Sequence, residues 1–289
     1  MMRLNQTIGI HMKKNGKLLL LIAISLLNWD AGASDVIKVA VIDTGFDFKS
    51  TWSDAKEKKL KKPVLCKTGH KDFTNTGVQD THGHGTHVAG IISSRAKKKY
   101  CLLIIKAWDK KNKLNQTRSI ALAFKYAVEQ KVDIINYSGG GAGFDYIEYI
   151  WVKKALDDGI FVVAAAGNEG QKVDWQVFSV KTAYKRAASG DLIVYKYKIT
   201  YINKVNLKTS HAEPKNTFFP AAYDPRIIAV ENHSWSGRLK SSNYGAAFGY
   251  KDNGKNVLSL QLNNTYGTMT GTSQATPKKT AEIINNWGL

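Results

Sequence analysis

Cysteine is scarce in this chain: Cys66 and Cys101 are the only two in 289 residues. That excludes a disulfide-dense scaffold and leaves room for a single bridge. Acidic residues are scarce as well, 23 against 42 Lys and Arg, for a formal net charge of +19. A surface this basic speeds association with anionic partners, such as envelope polymers or acidic proteins, and holds nucleic acid nonspecifically at low salt. A lysine coat that merely keeps the protein soluble accounts for the same excess. No nucleic-acid-binding module is present, so no specific nucleic-acid partner is expected. Bilayer-length apolar runs are missing too: the stretch LLLLIAISLL at residues 18–27 is short for a membrane span.

That stretch fits an export signal. Lys13, Lys14 and Lys17 precede it and Ala31-Gly32-Ala33 supplies small residues for cleavage. Residues 1–33 are therefore expected to be a signal peptide, and the protein to be secreted, extracellular or periplasmic. A retained membrane anchor is the competing reading, and Met12 is an alternative start. Cleavage would remove Arg3, Lys13, Lys14 and Lys17 against Asp30, leaving +16. With 43% hydrophobic and 10% aromatic content over 289 residues, the chain is too apolar to be disordered and long enough to bury a large core. One domain over residues 34–289 is expected.

Five runs are apolar without alternation, at residues 36–43, 101–108, 132–138, 159–167 and 226–230. Strands of that kind are covered on both faces. Residues 117–131 place Ile120, Phe124, Ala127 and Val128 on one helical stripe, and residues 145–158 do the same with Ile147, Ile150, Trp151 and Ala155. This alternation predicts an α/β fold, a doubly wound, mostly parallel sheet with helices on both faces. Functional residues then belong where strands end and helices begin.

Four such places stand out. Asp43-Thr44-Gly45 follows the first strand, DTHGHGTHVAG at 80–90 precedes an apolar helix, Gly167-Asn168-Glu169-Gly170 follows the fourth strand, and GTSQATP at 271–277 opens a helix. An acid, a histidine, an amide and a serine would thus share one sheet edge. The second place holds His82, His84 and His87 within six residues, close to a zinc-hydrolase spacing. His11, His70, His211 and His233 stand in no paired spacing, so a metal would lack the rest of its shell. Each place taken alone reads equally well as a turn or a cap.

Together they resemble the subtilisin-like serine proteases, the subtilases. The matching pieces are VAVIDTG (39–45), HGTHVAG (84–90), INYSGG (135–140), AAAGNEG (164–170), SNYG (242–245) and GTSQATP (271–277), in the family's order and rough spacing. The resemblance implies a subtilisin-like fold and a secreted serine endopeptidase acting on peptides or proteins, expected as a monomer with no cofactor and no metal. His84 would be the base among the three histidines, Ser273 the nucleophile, Asp43 the acid that orients the imidazole, and Asn168 an oxyanion donor beside the Ser273 amide. Ser138, Gly139 and Gly140 would pair with the extended peptide, and residues 164–167, with Ala165, Ala166 and Gly167, would wall the primary specificity pocket. Small residues there imply room for a large side chain. Glu169 at the mouth would let the pocket tolerate basic ones, or be a solvated loop acid.

Other features depart from the family. Only a handful of residues separate the cleavage site from the Asp43 strand, so no long pro-segment is expected between them. SSRAKKKY at 93–100 has no carboxylate where many relatives bind calcium, and none is assigned there. KKTAEIINNWGL puts Lys278 and Lys279 in the first turn after Pro277, which implies a shortened C-terminal helix, displaced or exposed to spare the lysines burial. Residues 171–217 form an insertion where Ile193, Tyr195, Tyr197, Ile199 and Tyr201 alternate with Lys196, Lys198 and Thr200. That reads as an amphipathic β-ribbon packed on its own domain, or a grip for a polyanion or glycan. These departures keep open a catalytically weak or silent binding protein of the same fold that uses its basic surface. In the doubly wound reading a right-handed crossover sets Cys66 beside Cys101 for a disulfide; two buried free thiols are the alternative.

Overall fold

The structure, a computed structural model, describes residues 36–111 and 116–289, and the expected signal peptide at 1–33 lies outside the described residues. The chain runs through β1 (Ile37–Asp43), β2 (Lys71–Asp72), α1 (His84–Arg95), β3 (Tyr100–Lys106), α2 (Gln116–Glu129), β4 (Ile134–Tyr137), α3 (Tyr146–Asp157) and β5 (Phe161–Ala165). A three-stranded ribbon follows, β6 (Trp175–Arg186), β7 (Leu192–Asn203) and β8 (Thr209–Ser210). The chain then returns through β9 (Ile228–Ser234), β10 (Gly237–Arg238), β11 (Tyr250–Asp252), β12 (Val257–Leu260), β13 (Tyr266–Met269) and α4 (Thr272–Asn285).

The main sheet has the order β10-β9-β5-β4-β1-β3-β2, with β11 also on β9, and only β10 runs antiparallel to its neighbour. Alternate residues of β1 serve opposite layers. Ala40 and Ile42 pack with Phe124 and Ala127 of α2 and Val152 and Ala155 of α3, while Val39 and Val41 pack with Val88 and Ile92 of α1 and Ala275 and Ile284 of α4. Helices on both faces need apolar side chains on both, which is why these strands read as unalternated runs.

The stripe on α3 is rotated from the expected one. Ile147 is 51% exposed, and Tyr146, Glu148, Val152 and Ala155 turn inward instead. The phase is set at the helix start, where the Asp145 carboxylate accepts the Glu148 N–H at 2.6 Å and so commits Glu148 to the inner face. Burial, helped by the charge of Asp145, pushes the Glu148 carboxyl up to about 8.

The C-terminal helix is seated rather than displaced. Thr280 donates to Asn136 Oδ1 at 2.8 Å beneath β4, and Ala275, Ala281 and Ile284 are buried. Lys278 and Lys279 stay half-buried because each amine finds an acceptor, the Asn253 carbonyl and the Glu282 carboxylate respectively. The insertion is a ribbon packed on the domain at its base only. There Val177 and Tyr201 are buried and Tyr197 stacks on Tyr146 at 5.0 Å, but Tyr195 is 58% and Leu192 65% exposed. Two register shifts interrupt the β6–β7 pairing, between Val177 and Ser179 and between Ala183 and Tyr184.

Cys66 and Cys101 form a disulfide. The segment before Cys66 runs beside β3, with Leu102 N–H donating to Val64 O at 2.8 Å and Cys66 N–H to Leu102 O at 3.0 Å, so the two thiols meet through topology.

Candidate active site

Asp43 ends β1 and is buried to 7% exposure. Its Oδ1 accepts the Thr44 N–H at 2.7 Å and meets His84 Nδ1 at 2.8 Å. With Nδ1–H directed at the carboxylate, His84 Nε2 carries the free lone pair. Burial pulls the His84 pKa down, but the charge and hydrogen bond of Asp43 and the charge of Asp80 outweigh it and raise the pKa above 6.5.

His84 is placed by groups around it as much as by Asp43. The buried Asp80 carboxylate accepts the N–H groups of His82, Gly83 and Thr86 at 2.9, 2.9 and 3.0 Å and the Thr86 hydroxyl at 2.7 Å, which caps α1. Gly85 must be glycine, because a Cβ there would stand 2.3 Å from the Gly45 carbonyl. Sequence reasoning misses the Asp80 role because Asp80 stands three residues before the Gly83 N-cap, outside the position where a capping side chain is expected.

The three histidines do three different things. His82 lies edge-on to Trp108 at 4.9 Å, where burial, then the charge of His84, lowers its pKa. His87 is fully buried and donates through Nε2 to Gly267 O at 3.1 Å, and burial holds its pKa at about 4. Of the three imidazole rings, the His84 ring alone meets a carboxylate among the described residues.

Ser273 lies on the first turn of α4, and its hydroxyl donates to the Ser138 carbonyl at 2.8 Å. Ser138 follows β4 and lines a cavity of about 300 Å³ together with Asp43, His84, Trp108, Gly139 and Gly140. Asn168, after β5, accepts the Thr272 N–H at 2.9 Å through Oδ1, which fastens it to the same helix start. Its amide nitrogen and the Ser273 N–H have no partner among the described residues, so two donors remain at the helix N-terminus, where the dipole favours negative charge.

The loop after β5 is held by Asn243 of the SNYG motif, whose amide donates to Ala166 O at 3.0 Å and Glu169 Oε2 at 2.6 Å and accepts Gln171 N–H at 2.9 Å. Glu169 is thus engaged in its own loop. Gly167, at φ +99°, has no room for a Cβ, which would fall 2.3 Å from Asn243 Nδ2. Ala165 and Ala166 are buried. The space expected for a large side chain between Gly140 and Gly167 is occupied by the Phe218 ring, which approaches both glycines.

The model of the Subtilase family matches residues 34–283. The chain is 32% identical over 256 residues to the major intracellular serine protease of Bacillus subtilis, across 83% of this chain and 65% of that one. It is 28% identical over 264 residues to the minor extracellular protease Epr of the same organism, across 88% of this chain and 32% of that one. The chain therefore spans less than two thirds of the length of these relatives. Among solved structures, a lanthipeptide protease superposes with TM-score 0.63 at 18% identity, covering 86% of this chain and 73% of that one. The prenylagaramide maturation protease PagA superposes with TM-score 0.55 at 22% identity, covering 85% and 72%.

Proposed function

The chain belongs to the subtilase family, and from that premise we propose that it is a serine endopeptidase in which Ser273, His84, Asp43 and Asn168 carry the reaction. The observation that supports this most is the 2.8 Å contact between buried Asp43 and His84 Nδ1, which leaves Nε2 as a base. The Ser273 hydroxyl turns from the Ser138 carbonyl to His84 Nε2, gives up its proton and attacks the peptide carbonyl. His84 then returns the proton to the leaving amine, and Asp43 stabilises the imidazolium in between. The carbonyl oxygen, negatively charged in the tetrahedral intermediate, is met by Asn168 Nδ2 and the Ser273 N–H. The peptide lies extended along Ser138, Gly139 and Gly140.

A fluorophosphonate reacts only with an activated serine. It should label the wild type but neither Ser273→Ala nor His84→Ala; equal labelling of all three removes the assignment.

We further propose that the protein works outside the cytoplasm as a monomer. The Cys66–Cys101 disulfide supports an oxidising compartment. Exposed Lys181, Lys185, Lys196 and Lys198 on the ribbon supply cations for an anionic envelope surface. Retention of the protein on anionic cell-wall polymer that weakens between 50 mM and 300 mM salt would support the latter; indifference to salt would count against it.

A further inference from the structure

We propose that Phe218 sets the substrate class: it fills the primary specificity pocket and restricts cleavage to peptides with glycine, alanine or serine at the residue whose carbonyl is attacked. This inference rests on the reading of Ser273 as nucleophile and of Ser138–Gly140 as the substrate-pairing strand.

An attacked residue held between Ser273 and the Asn168 amide, with its backbone on Ser138–Gly140, sends its side chain between two walls, Gly140 and Gly167. The Phe218 ring already lies there. A Cβ on Gly140 would stand 2.3 Å from Cε1 and 2.8 Å from Cζ of Phe218, and a Cβ on Gly167 would stand 2.6 Å from its Cε2. Three consecutive carbons at the tip of one ring thus touch both walls. The two glycines make room for that ring from within the protein.

The ring is anchored. Phe219 exchanges both backbone hydrogen bonds with Gly141, at 2.8 and 2.9 Å, and Ala222 N–H donates to Phe218 O at 2.9 Å. The neighbouring Phe219 ring stacks on Tyr223 at 4.5 Å. Phe218 itself is only 6% exposed, so an incoming leucine or phenylalanine would have to eject a packed aromatic side chain. Successive side chains of an extended peptide point opposite ways. The residue before the attacked one therefore faces the open cavity beside His84 and Trp108, and bulk is accommodated there instead.

The test is a set of internally quenched peptides identical except at the attacked residue (Gly, Ala, Ser, Leu, Phe, Lys), with leucine just before it. The wild type should turn over the alanine peptide with kcat/KM at least about tenfold above the leucine and phenylalanine peptides. In Phe218→Gly and Phe218→Ala the phenylalanine-to-alanine ratio should rise at least about tenfold. A wild type that prefers leucine or phenylalanine overturns the proposal, and it does so without any variant needing to fold. A fluorophosphonate-labelled enzyme with that large-residue preference loses only the role of Phe218. An enzyme that takes no label and cleaves no peptide loses the protease reading and this inference with it.

Discussion

Thr44 donates its hydroxyl to Asp80 at 3.0 Å and accepts the Gly85 N–H at 2.8 Å, so one side chain ties the end of β1 to the start of α1. Asp43 and His84 each neighbour one end of that tie. Their 2.8 Å contact is therefore held by a buried frame that touches neither His84 Nε2 nor the Ser273 hydroxyl.

Replacing Asp80 should expose this positioning role. In Asp80→Asn the new amide faces the Thr86 N–H and hydroxyl, which leaves buried donors unmatched and should lower stability by about 1–3 kcal/mol. The same change removes a negative charge that raises the His84 pKa. The acid limb of the kcat/KM profile should move to lower pH, a shift that mere loosening of the helix would not produce. An unchanged limb would confine Asp80 to stability.

His87 should make the protein acid-sensitive. Its folded pKa of about 4 lies below the ordinary 6.5, so the unfolded chain binds the extra proton first as pH falls. Stability should drop between pH 6.5 and 4, by up to about 3 kcal/mol from this group at 1.36 kcal/mol per pKa unit, and the loss should level off below 4. His84 acts with the opposite sign, since its raised pKa adds stability that is lost as pH rises through the folded value. Chemical denaturation of His87→Gln at pH 4.5 and 7 decides it: a drop as large as the wild type's would place the acid sensitivity elsewhere.

Asn168→Ala should lower kcat about 10²–10³-fold, the size measured for an oxyanion donor in subtilisin, with KM little changed. The side chain is exposed, so the fold should tolerate the change. A rise in KM with kcat intact would make Asn168 a substrate-binding group instead.

The sheet and the ends of its strands were legible because each rests on local pattern. Residues 36–43 are apolar throughout since both layers need them, and Asp43, His84, Asn168 and Ser273 each interrupt such a pattern with a polar type at a strand end or helix start. What escaped depends on distant partners. Lys278 is kept in place by the Asn253 carbonyl, 25 residues away, and no stripe in α4 announces it. Phe218 reads as one more apolar residue before a strand, and that its ring reaches Gly140 and Gly167 follows from the Gly141–Phe219 pairing across the fold. The outward Ile147 was lost to a cap, since one Asp145 hydrogen bond rotates a stripe that hydrophobicity alone leaves ambiguous.

The disulfide should stabilise the fold without touching the chemistry. Cys66 and Cys101 are 35 residues apart, and the loop they close contains Asp80, His84 and all of α1. Loop-closure entropy for that length is about 3–4 kcal/mol, less any strain in the native bridge. Cys101 pairs with Lys38 in the sheet whereas Asp43 pairs with Lys106, which puts the bridge five residues along the strands from Asp43, roughly 17 Å at the rise of a β-strand. The double variant Cys66→Ser, Cys101→Ser should therefore unfold at lower denaturant concentration by an amount equivalent to about 3–4 kcal/mol, while kcat/KM measured well below its melting temperature stays near the wild-type value. Reduction of the wild type with dithiothreitol should reproduce the shift, and the double variant should not respond to it. Equal unfolding midpoints for wild type and double variant would mean that the reduced chain keeps α1 against the sheet unaided, through Val88, Ile92 and the Asp80 cap.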